Sequence, residues 1–132
     1  QIGQSCSVAL LDETEIVYIA RAAQKRVMSI GLMPGSRLPA HCTSMGRVLL
    51  AALPREEADL LVRRSDLTPR TKFSILDPVL TLCRIDAARE DGYAFVDQEV
   101  ETGLRSIAVP KQTIETYLPH LLGVQSALGR VL

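Results

Sequence analysis

The stretch GLMPGSRLPAHCTSMGRVLLAALP, from Gly31 to Pro54, decides how the rest of the chain is interpreted. Two glycines and two prolines interrupt its first half, which is typical of a loop. Apolar residues fill much of its second half, and this pattern predicts a helix that opens at Thr43 and stops before Pro54. The hydroxyl of Thr43 can act as an N-cap, because it can accept a hydrogen bond from the amide of Met45 or Gly46.

A helix that begins at this point would present its first backbone amides to a ligand. The amides of Ser44, Met45 and Gly46 would form a helix N-terminus that can hold an anion. Glycine at position 46 lowers the helix propensity but allows another group to approach the backbone closely. We therefore expect a small carboxylate to bind at this end of the helix.

The composition predicts one folded domain without excess charge. The 132 residues are enough for a single hydrophobic core, and 47% of them are hydrophobic. Fifteen basic and fifteen acidic residues give a formal net charge of zero, so this chain has no basic surplus with which to hold DNA phosphates. No apolar run approaches the roughly 20 residues that span a membrane, and the N-terminus lacks a signal-peptide pattern. Contact with DNA would therefore be made by another part of the protein, and no contact with a membrane is expected.

The cysteines predict reduced thiols in a cytoplasmic protein, because Cys6, Cys42 and Cys83 are odd in number and lack CxxC spacing. Cys83 lies among apolar residues of a predicted helix, so we expect it to be buried as a small hydrophobic residue. The dipeptide His41-Cys42 suggests a nucleophilic thiol, but a nucleophile and its base are rarely neighbours in the sequence. A metal site that joined this dipeptide to the acids of residues 97–101 has no supporting ligand spacing, so neither a metal nor a cofactor is expected.

The order of the predicted elements favours an α+β fold, in which helices lie beside an antiparallel sheet. Strands are predicted over Cys6–Leu11 and Glu15–Ala20 with a tight turn between them, and the second is apolar on both faces, as a central strand is. A third strand is expected over Val27–Leu32. A later helix has an acid followed by proline at its start, Asp77-Pro78, and glycine at its end, Gly92. The remaining elements are a helix over residues 54–64, strands over Tyr93–Val96 and Leu104–Val109, and a kinked C-terminal helix within Gln112–Leu132.

An acidic segment separates the last two predicted strands. Asp97, Glu99 and Glu101 occupy alternate positions, so they share one face if the chain there is extended. A solvated edge is the ordinary interpretation of such a run. Arg105 follows closely, however, and could pair with one of these acids and so set the polarity of a pocket.

Two longer stretches resemble the signature sequences of one family. The stretches are SRLPAHCTSMGRVLLAALP, at Ser36–Pro54, and DGYAFVDQEVETGLRSIAVP, at Asp91–Pro110. In their order and spacing they resemble the effector-binding domain of IclR-type bacterial transcriptional regulators, and the resemblance extends from Ser7 to Leu132. The sequence of the first stretch most resembles the corresponding stretch of the regulators of aromatic-acid catabolism through the β-ketoadipate pathway, namely the protocatechuate and 4-hydroxybenzoate regulators.

The resemblance implies a GAF-like domain, a curved antiparallel sheet flanked by helices, that binds a small metabolite and is not an enzyme. It assigns residues 1–132 to this effector-binding domain and implies that operator DNA is bound by an N-terminal winged helix-turn-helix domain, which is absent from the sequence. It also implies a cytoplasmic homodimer or homotetramer in which the effector, an aromatic acid or a β-ketoadipate-like acid, controls catabolic genes.

The sequence departs from the family pattern after Val109-Pro110. In the family this strand continues into a hairpin and a polar segment before the last helix, whereas here Lys111 already resembles the start of that helix. Roughly twenty residues are therefore expected to be missing, a number set by the length of a hairpin with its loop. Either the protein has lost this hairpin, or the numbering closes over a segment between Pro110 and Lys111. We favour the second interpretation, because one wall of the pocket would otherwise be lost.

The matched motif positions imply an effector site built from four parts of the chain. These parts are the helix N-terminus, the strand before it, the acidic turn and the strand after that turn. Where some relatives have an acid, this chain has Val96, with Asp97 next to it. The motif positions are Val27, Ile30, Ser44, Met45, Val96, Asp97, Leu104 and Ser106, to which we add Gly46 for its amide, Arg105 as a partner for the carboxylate and Leu38 as an apolar wall.

Two other functions stay open at the level of the sequence. A GAF-like enzyme would use Cys42 as a redox or nucleophilic thiol, and an oligomerising module would bind no ligand at all. Replacement of Cys42 by serine would abolish turnover in the enzyme, whereas a closed, solvent-free site at Ser44 would favour the module.

Overall fold

The computed structural model describes residues 6–22 and 32–112, and within them the chain forms five strands and three helices. The strands pair antiparallel, and the three helices follow one another in the sequence between the third and the fourth strand. The predicted α+β class is therefore confirmed. The strand expected over Val27–Leu32 and the C-terminal helix lie outside the described residues, apart from their ends at Leu32 and Gln112. In chain order the elements are β1 (Cys6–Asp12), β2 (Glu15–Ala22), β3 (Arg37–Pro39), α1 (Ser44–Ala51), α2 (Arg55–Arg64), α3 (Pro78–Asp91), β4 (Ala94–Asp97) and β5 (Arg105–Ala108).

Strand β2 is the centre of a three-stranded antiparallel sheet, with β1 on one side and β3 on the other. This confirms the central position that its two apolar faces predict. Ile16 of β2 is fully buried, and its neighbours across the sheet are Leu11 of β1 and Leu38 of β3. The two-residue turn Glu13-Thr14 joins β1 to β2, as the sequence predicts. One face of this sheet thus contributes a row of apolar side chains to the core.

Strand β3 corrects the prediction of a continuous loop before α1. Its three residues pair with Glu15–Val17 of β2, and Pro39 is tolerated because β3 is an edge strand in the described part of the sheet. The exposed guanidinium of Arg37 reinforces the pairing, since it binds the carboxylates of Asp12 at 2.6 Å and Glu15 at 3.0 Å. A strand this short has no periodicity of its own, so its long-range pairing alone defines it.

Helix α1 contacts both sheets of the described fold and both other helices. Thr43 is its N-cap, as predicted, and its Oγ1 accepts a hydrogen bond from the amide of Gly46 at 3.2 Å. Val48 and Leu50 enter the same core cluster as Ile16 of β2. Each fully buried side chain of this size contributes roughly 1.5–3 kcal/mol, so α1 links the packing of all the layers.

Helices α2 and α3 begin and end where their sequence signals predict. The carboxylate of Asp77 accepts a hydrogen bond from the amide of Val79 at 2.9 Å, and Gly92 ends α3 with a left-handed φ of 82°. Helix α2 carries two exposed arginines in its last turn, as the helix dipole favours. In residues 6–22 and 32–112 no helix is long and apolar enough to cross a bilayer.

Cys83 is exposed, so the prediction that it is buried is wrong. An α-helix turns about 100° per residue, so Cys83 lies about 200° around the axis from both Thr81 and Ile85. Those two residues are fully buried and mark the inner side of α3. The apolar residues of α3 are distributed around the helix, and Val79 is likewise exposed. Apolar neighbours in the sequence therefore do not indicate burial in this helix.

A second sheet consists of β4 and β5, an antiparallel hairpin that also contacts α1. Its strands pair Val96 with Ser106 and Asp97 with Arg105. Alternate side chains point to opposite faces, so Val96 is buried whereas Phe95 is 54% exposed. The hairpin therefore has one face toward the core and one face outward.

The acidic segment runs into the turn of this hairpin, so the expectation that its acids share one face is wrong. Gln98 has a φ of 61°, and its amide donates to the carbonyl of Leu104 at 2.8 Å, which reverses the chain. Asp97 lies on the exposed face, whereas Glu99 is only 6% exposed. The solvated-edge interpretation thus holds for Asp97 and fails for Glu99.

Candidate functional site

The N-terminal turn of α1 is fixed by hydrogen bonds to the segment just before it. The hydroxyl of Thr43 donates to the carbonyl of Pro39 at 3.0 Å and accepts from the amide of Gly46. A Cβ on Gly46 would lie 2.1 Å from the carbonyl oxygen of Ala40, so this position requires glycine. The close approach that glycine permits is therefore made by the chain's own backbone, and the Gly46 amide is engaged by Thr43.

Two serines from distant parts of the chain meet beside this turn. The hydroxyl oxygens of Ser44 and Ser106 are 2.9 Å apart, although the residues are 62 positions apart in the sequence. Ser44 is 4% exposed, and Ser106 pairs across the hairpin with the buried Val96. The structure thus brings together three of the predicted site residues, one from each of α1, β4 and β5.

Two other predicted residues face away from this serine pair. Asp97 and Arg105 form an ion pair at 2.8 Å, and their side chains are 49% and 60% exposed. The predicted pairing of Arg105 with one of the acids is therefore confirmed. Because side chains alternate along β5, however, Arg105 lies on the opposite face of the hairpin from Ser106.

The remaining predicted residues are dispersed. Leu38 is 6% exposed and belongs to the hydrophobic core. Met45 is half-buried against that core, and Leu104 is half-buried at the end of the hairpin turn. Val27 and Ile30 lie outside the described residues.

A buried ion pair that the sequence analysis missed lies one helical turn beyond Ser44. The guanidinium of Arg47 binds both carboxylate oxygens of Glu99, at 2.8 and 2.5 Å, and its Nε donates to the carbonyl of His41 at 2.9 Å. Arg47 is 2% exposed and Glu99 is 6% exposed. One signal was present in the sequence, because Arg47 is the sole charged residue between Thr43 and Pro54 and so needs a partner inside the fold.

The dipeptide His41-Cys42 is buried and offers no activated thiol. Burial lowers the pKa of His41 to about 4, with a further contribution from the positive charges of Arg47 and Arg70, so the imidazole is neutral at pH 7. Its Nδ1 has no hydrogen-bond partner among the residues that the structure describes. Burial also raises the pKa of Cys42 to about 11, although the two arginines act in the opposite direction. A protonated, inaccessible thiol is inert, so these neighbours do not form a catalytic pair.

We expect a thiol reagent to modify two of the three cysteines when the protein is folded. Cys6 and Cys83 are exposed, whereas Cys42 is buried and protonated near neutral pH. A colorimetric thiol count should therefore give two per chain in native buffer and three in denaturant. The variant Cys83→Ser should lower the native count to one, and Cys42→Ser should leave it at two. Fast modification of a third thiol under native conditions would contradict the buried placement of Cys42.

The described part of the chain has a cleft but no cluster suited to a metal ion. The cleft, of about 180 Å³, opens between the C-terminal half of α3 and β4, and Arg84, Tyr93 and Phe95 line it. The serine pair does not border this cleft, but Arg47, one helical turn beyond Ser44, does. Residues 6–22 and 32–112 contain no group of three or more histidine, cysteine, aspartate or glutamate side chains that could hold a metal.

One family of proteins accounts for this fold. A family model described as bacterial transcriptional regulator IclR C-terminal matches residues 1–131. The chain therefore belongs to the IclR family of bacterial transcriptional regulators and corresponds to their C-terminal part. This confirms the resemblance carried by the motifs at Ser36–Pro54 and Asp91–Pro110.

Two curated relatives are similar over almost the whole chain. The Pca regulon regulatory protein of Pseudomonas putida is 42% identical over 99% of this chain and 45% of its own length. The p-hydroxybenzoate hydroxylase transcriptional activator of Acinetobacter baylyi is 35% identical over 99% of this chain and 50% of its own length. The chain thus spans about half the length of these relatives.

Solved structures of the family have the same fold. The inducer-binding domain of a PobR double mutant from Acinetobacter, in complex with 3-hydroxybenzoic acid, has a TM-score of 0.75 and 37% identity, and the match covers 83% of this chain and 65% of that one. An IclR homolog from Microbacterium hydrocarbonoxydans, in complex with 4-hydroxybenzoate, has a TM-score of 0.70 and 27% identity, with 81% and 44% covered. A putative transcriptional regulator from Rhodococcus sp. RHA1 has a TM-score of 0.76 and 46% identity, with 81% and 43% covered.

Proposed function

We propose that this chain is the effector-binding domain of a regulator of catabolic genes and that its effector is a small aromatic carboxylic acid of the hydroxybenzoate type. The contact between Ser44 and Ser106 carries the proposal, because it joins the two motif regions in one polar site. The relatives support it, since their names refer to the Pca regulon and to p-hydroxybenzoate hydroxylase. Two of the similar structures contain hydroxybenzoates.

The chemistry of the serine pair suits a carboxylate. Each hydroxyl can donate one hydrogen bond, so opening the bond between Ser44 and Ser106 would give a carboxylate two donors. The N-terminal turn of α1 adds the helix dipole and the amides of Ser44 and Met45, whereas the Gly46 amide is already engaged. The buried Val96, which pairs with Ser106, would give the ring an apolar surface.

We further infer that the site is completed by a hairpin between Pro110 and Lys111, the segment that the family pattern has and the given sequence lacks. Among residues 6–22 and 32–112, strands β1 and β5 each lie at the edge of their sheet, and both contact α1. An additional hairpin could pair with these two edges and close the third wall of the site. The backbone supports the expectation that the last helix starts where the family has this hairpin, because Lys111 and Gln112 are helical directly after Pro110.

The other partners belong to the same proposal. The regulator would bind operator DNA through an N-terminal winged helix-turn-helix domain outside residues 1–132, assemble as a homodimer or homotetramer, and act in the cytoplasm. The zero net charge of the chain supports this division of roles. Effector binding would shift the population between two arrangements of the DNA-binding parts, which requires a difference in binding free energy of about 1–3 kcal/mol.

Isothermal titration calorimetry of the complete, folded regulator, including the hairpin inferred between Pro110 and Lys111, with 3-hydroxybenzoate, 4-hydroxybenzoate, protocatechuate and β-ketoadipate tests the proposal. Ser106→Ala is expected to weaken binding of the tightest of these acids about tenfold or more, because a hydrogen bond to a charged group contributes roughly 1.5–3 kcal/mol. Arg105→Ala is the matched control, since its side chain lies on the outward face, and it should change the affinity less than twofold. Absence of heat with all four acids would overturn the assignment, as would equal weakening by both variants.

An oligomerising module without a ligand is the second candidate, and the closed contact at Ser44 favours it, because this residue is 4% exposed. The same titrations separate the two candidates. A thiol enzyme has less support, since Cys42 is buried with a pKa of about 11 and the relatives are transcriptional regulators.

A further inference from the structure

The buried ion pair joins the same two elements that the serine pair joins. Ser44 contacts Ser106 at 2.9 Å, and Arg47 contacts Glu99 at 2.8 and 2.5 Å, so both contacts run from α1 to the hairpin β4–β5 and its turn. Ser44 and Arg47 are three residues apart in α1 and are therefore neighbours on the surface of the helix. Movement of the turn that carries Glu99 would displace Ser106 relative to Ser44.

The turn that carries Glu99 is held by two side chains of the loop before α3 and by a bond within the turn itself. The hydroxyl of Thr71 donates to the carbonyl of Gln98 at 2.6 Å, and the hydroxyl of Ser74 donates to the carbonyl of Glu99 at 2.9 Å. Within the turn, the amide of Gly103 donates to the side-chain oxygen of Gln98 at 2.9 Å. These bonds hold Gln98 at a φ of 61°, in the left-handed region. Residues other than glycine rarely adopt this conformation unless the surrounding structure fixes it.

Stability alone does not explain why this contact is made of charges. Apolar residues of similar volume would stabilise a buried position as well or better, because the two ions lose their hydration. The bidentate geometry instead fixes direction and distance, since two parallel N–H···O bonds permit one relative arrangement of guanidinium and carboxylate. The bond from Nε of Arg47 to the carbonyl of His41 orients the guanidinium further.

We propose that Arg47 and Glu99 are positioning residues of the effector site, which hold Ser44 and Ser106 at a separation that one carboxylate can bridge. Because Glu99 neutralises Arg47, the pair sets this geometry without leaving a buried free cation beside the ligand. The identity of the ligand rests on the proposed function, whereas the effect on the hairpin can be measured without any ligand.

The double variant Arg47→Met/Glu99→Leu tests the proposal, because it removes both charges and keeps the volume nearly constant. We expect a folded protein whose affinity for 4-hydroxybenzoate is at least tenfold weaker than that of the unchanged chain. We also expect at least tenfold faster hydrogen exchange at the amides of Gln98 and Leu104. The matched control is Asp59→Leu/Arg63→Met, which removes an exposed ion pair within α2, away from the hairpin, and should change neither quantity.

The outcomes separate positioning from a structural role. A folded double variant with unchanged affinity and unchanged exchange would overturn the proposal. If the complete, unsubstituted regulator binds none of the acids, the proposed function fails, and the exchange rates at Gln98 and Leu104 alone decide whether the pair positions the hairpin. Arg47→Lys is a second variant in case the double variant does not fold, since it keeps the charge but not the bidentate fork, and unchanged exchange in this variant would also count against the proposal.

Discussion

Replacement of Gly46 by alanine is expected to destabilise the protein by about 3 kcal/mol or more. A Cβ at this position would lie 2.1 Å from the carbonyl oxygen of Ala40 and 2.5 Å from Oγ1 of Thr43, where real Cβ atoms are essentially never found. The gain in helix propensity from glycine to alanine is about 1 kcal/mol, which is too small to offset the overlap. Because the nearest atoms belong to the backbone, α1 would have to move away from the segment before it, and its N-cap would be lost.

Urea unfolding followed by circular dichroism measures this loss as a change in the free energy of unfolding. Gly103→Ala is the matched control, because Gly103 has a φ of 88° and no atom within 4 Å of the place of a Cβ. That variant should lose about 1–2 kcal/mol through backbone strain alone. A Gly46→Ala variant as stable as Gly103→Ala would show that the contact between α1 and Ala40 is looser than the structure indicates.

Replacement of Arg47 by methionine alone is expected to cost about 3–5 kcal/mol, because it leaves the carboxylate of Glu99 buried without its partner. A small domain has a total stability of only about 5–15 kcal/mol, so this variant should lie near the limit of folding. Adding Glu99→Leu to the same chain should recover most of the loss, since no uncompensated charge then remains in the interior.

The two single variants and the double variant form a thermodynamic cycle that measures the coupling between Arg47 and Glu99. Arg105→Met provides the comparison with an exposed ion pair, and it should cost less than about 1 kcal/mol. If Arg47→Met costs no more than Arg105→Met, the pair is not shielded from water in solution and its placement in the structure is wrong.

The boundaries of the helices could be predicted because their signals are local. Thr43, Asp77 and Gly92 each bond to groups within four residues of their own position. Strand β3 could not be predicted, because its three residues are defined by pairing with β2 and not by any pattern of their own. Cys83 was misplaced for a related reason, since the apolar residues of α3 do not mark one side of the helix.

Part of the candidate site followed from the sequence and part did not. The motif resemblance placed Ser44, Val96 and Ser106 in one site, and the structure shows that they lie together. The contact between Arg47 and Glu99 links positions 52 residues apart, and no local pattern encodes such a distance. Within the acidic run, nothing in the sequence distinguishes Glu99 from Asp97. Only the reversal of the chain at the hairpin turn buries Glu99 and leaves Asp97 exposed.

The dependence of both sheets on α1 determines the order in which the fold can assemble. Strands β1 and β2 join over a two-residue turn, whereas the second sheet has two strands among the described residues, β4 and β5, and an isolated two-stranded hairpin is marginal in water. That hairpin packs against α1 and α3, and its contacts with α1 join positions 52 and 62 residues apart. Contacts between such distant positions form slowly. We therefore expect the half of the site on the hairpin to be completed late, after α1 is in place. A ligand held between the two elements would stabilise contacts that are absent from the folding transition state, and it would retard unfolding more than it would accelerate folding.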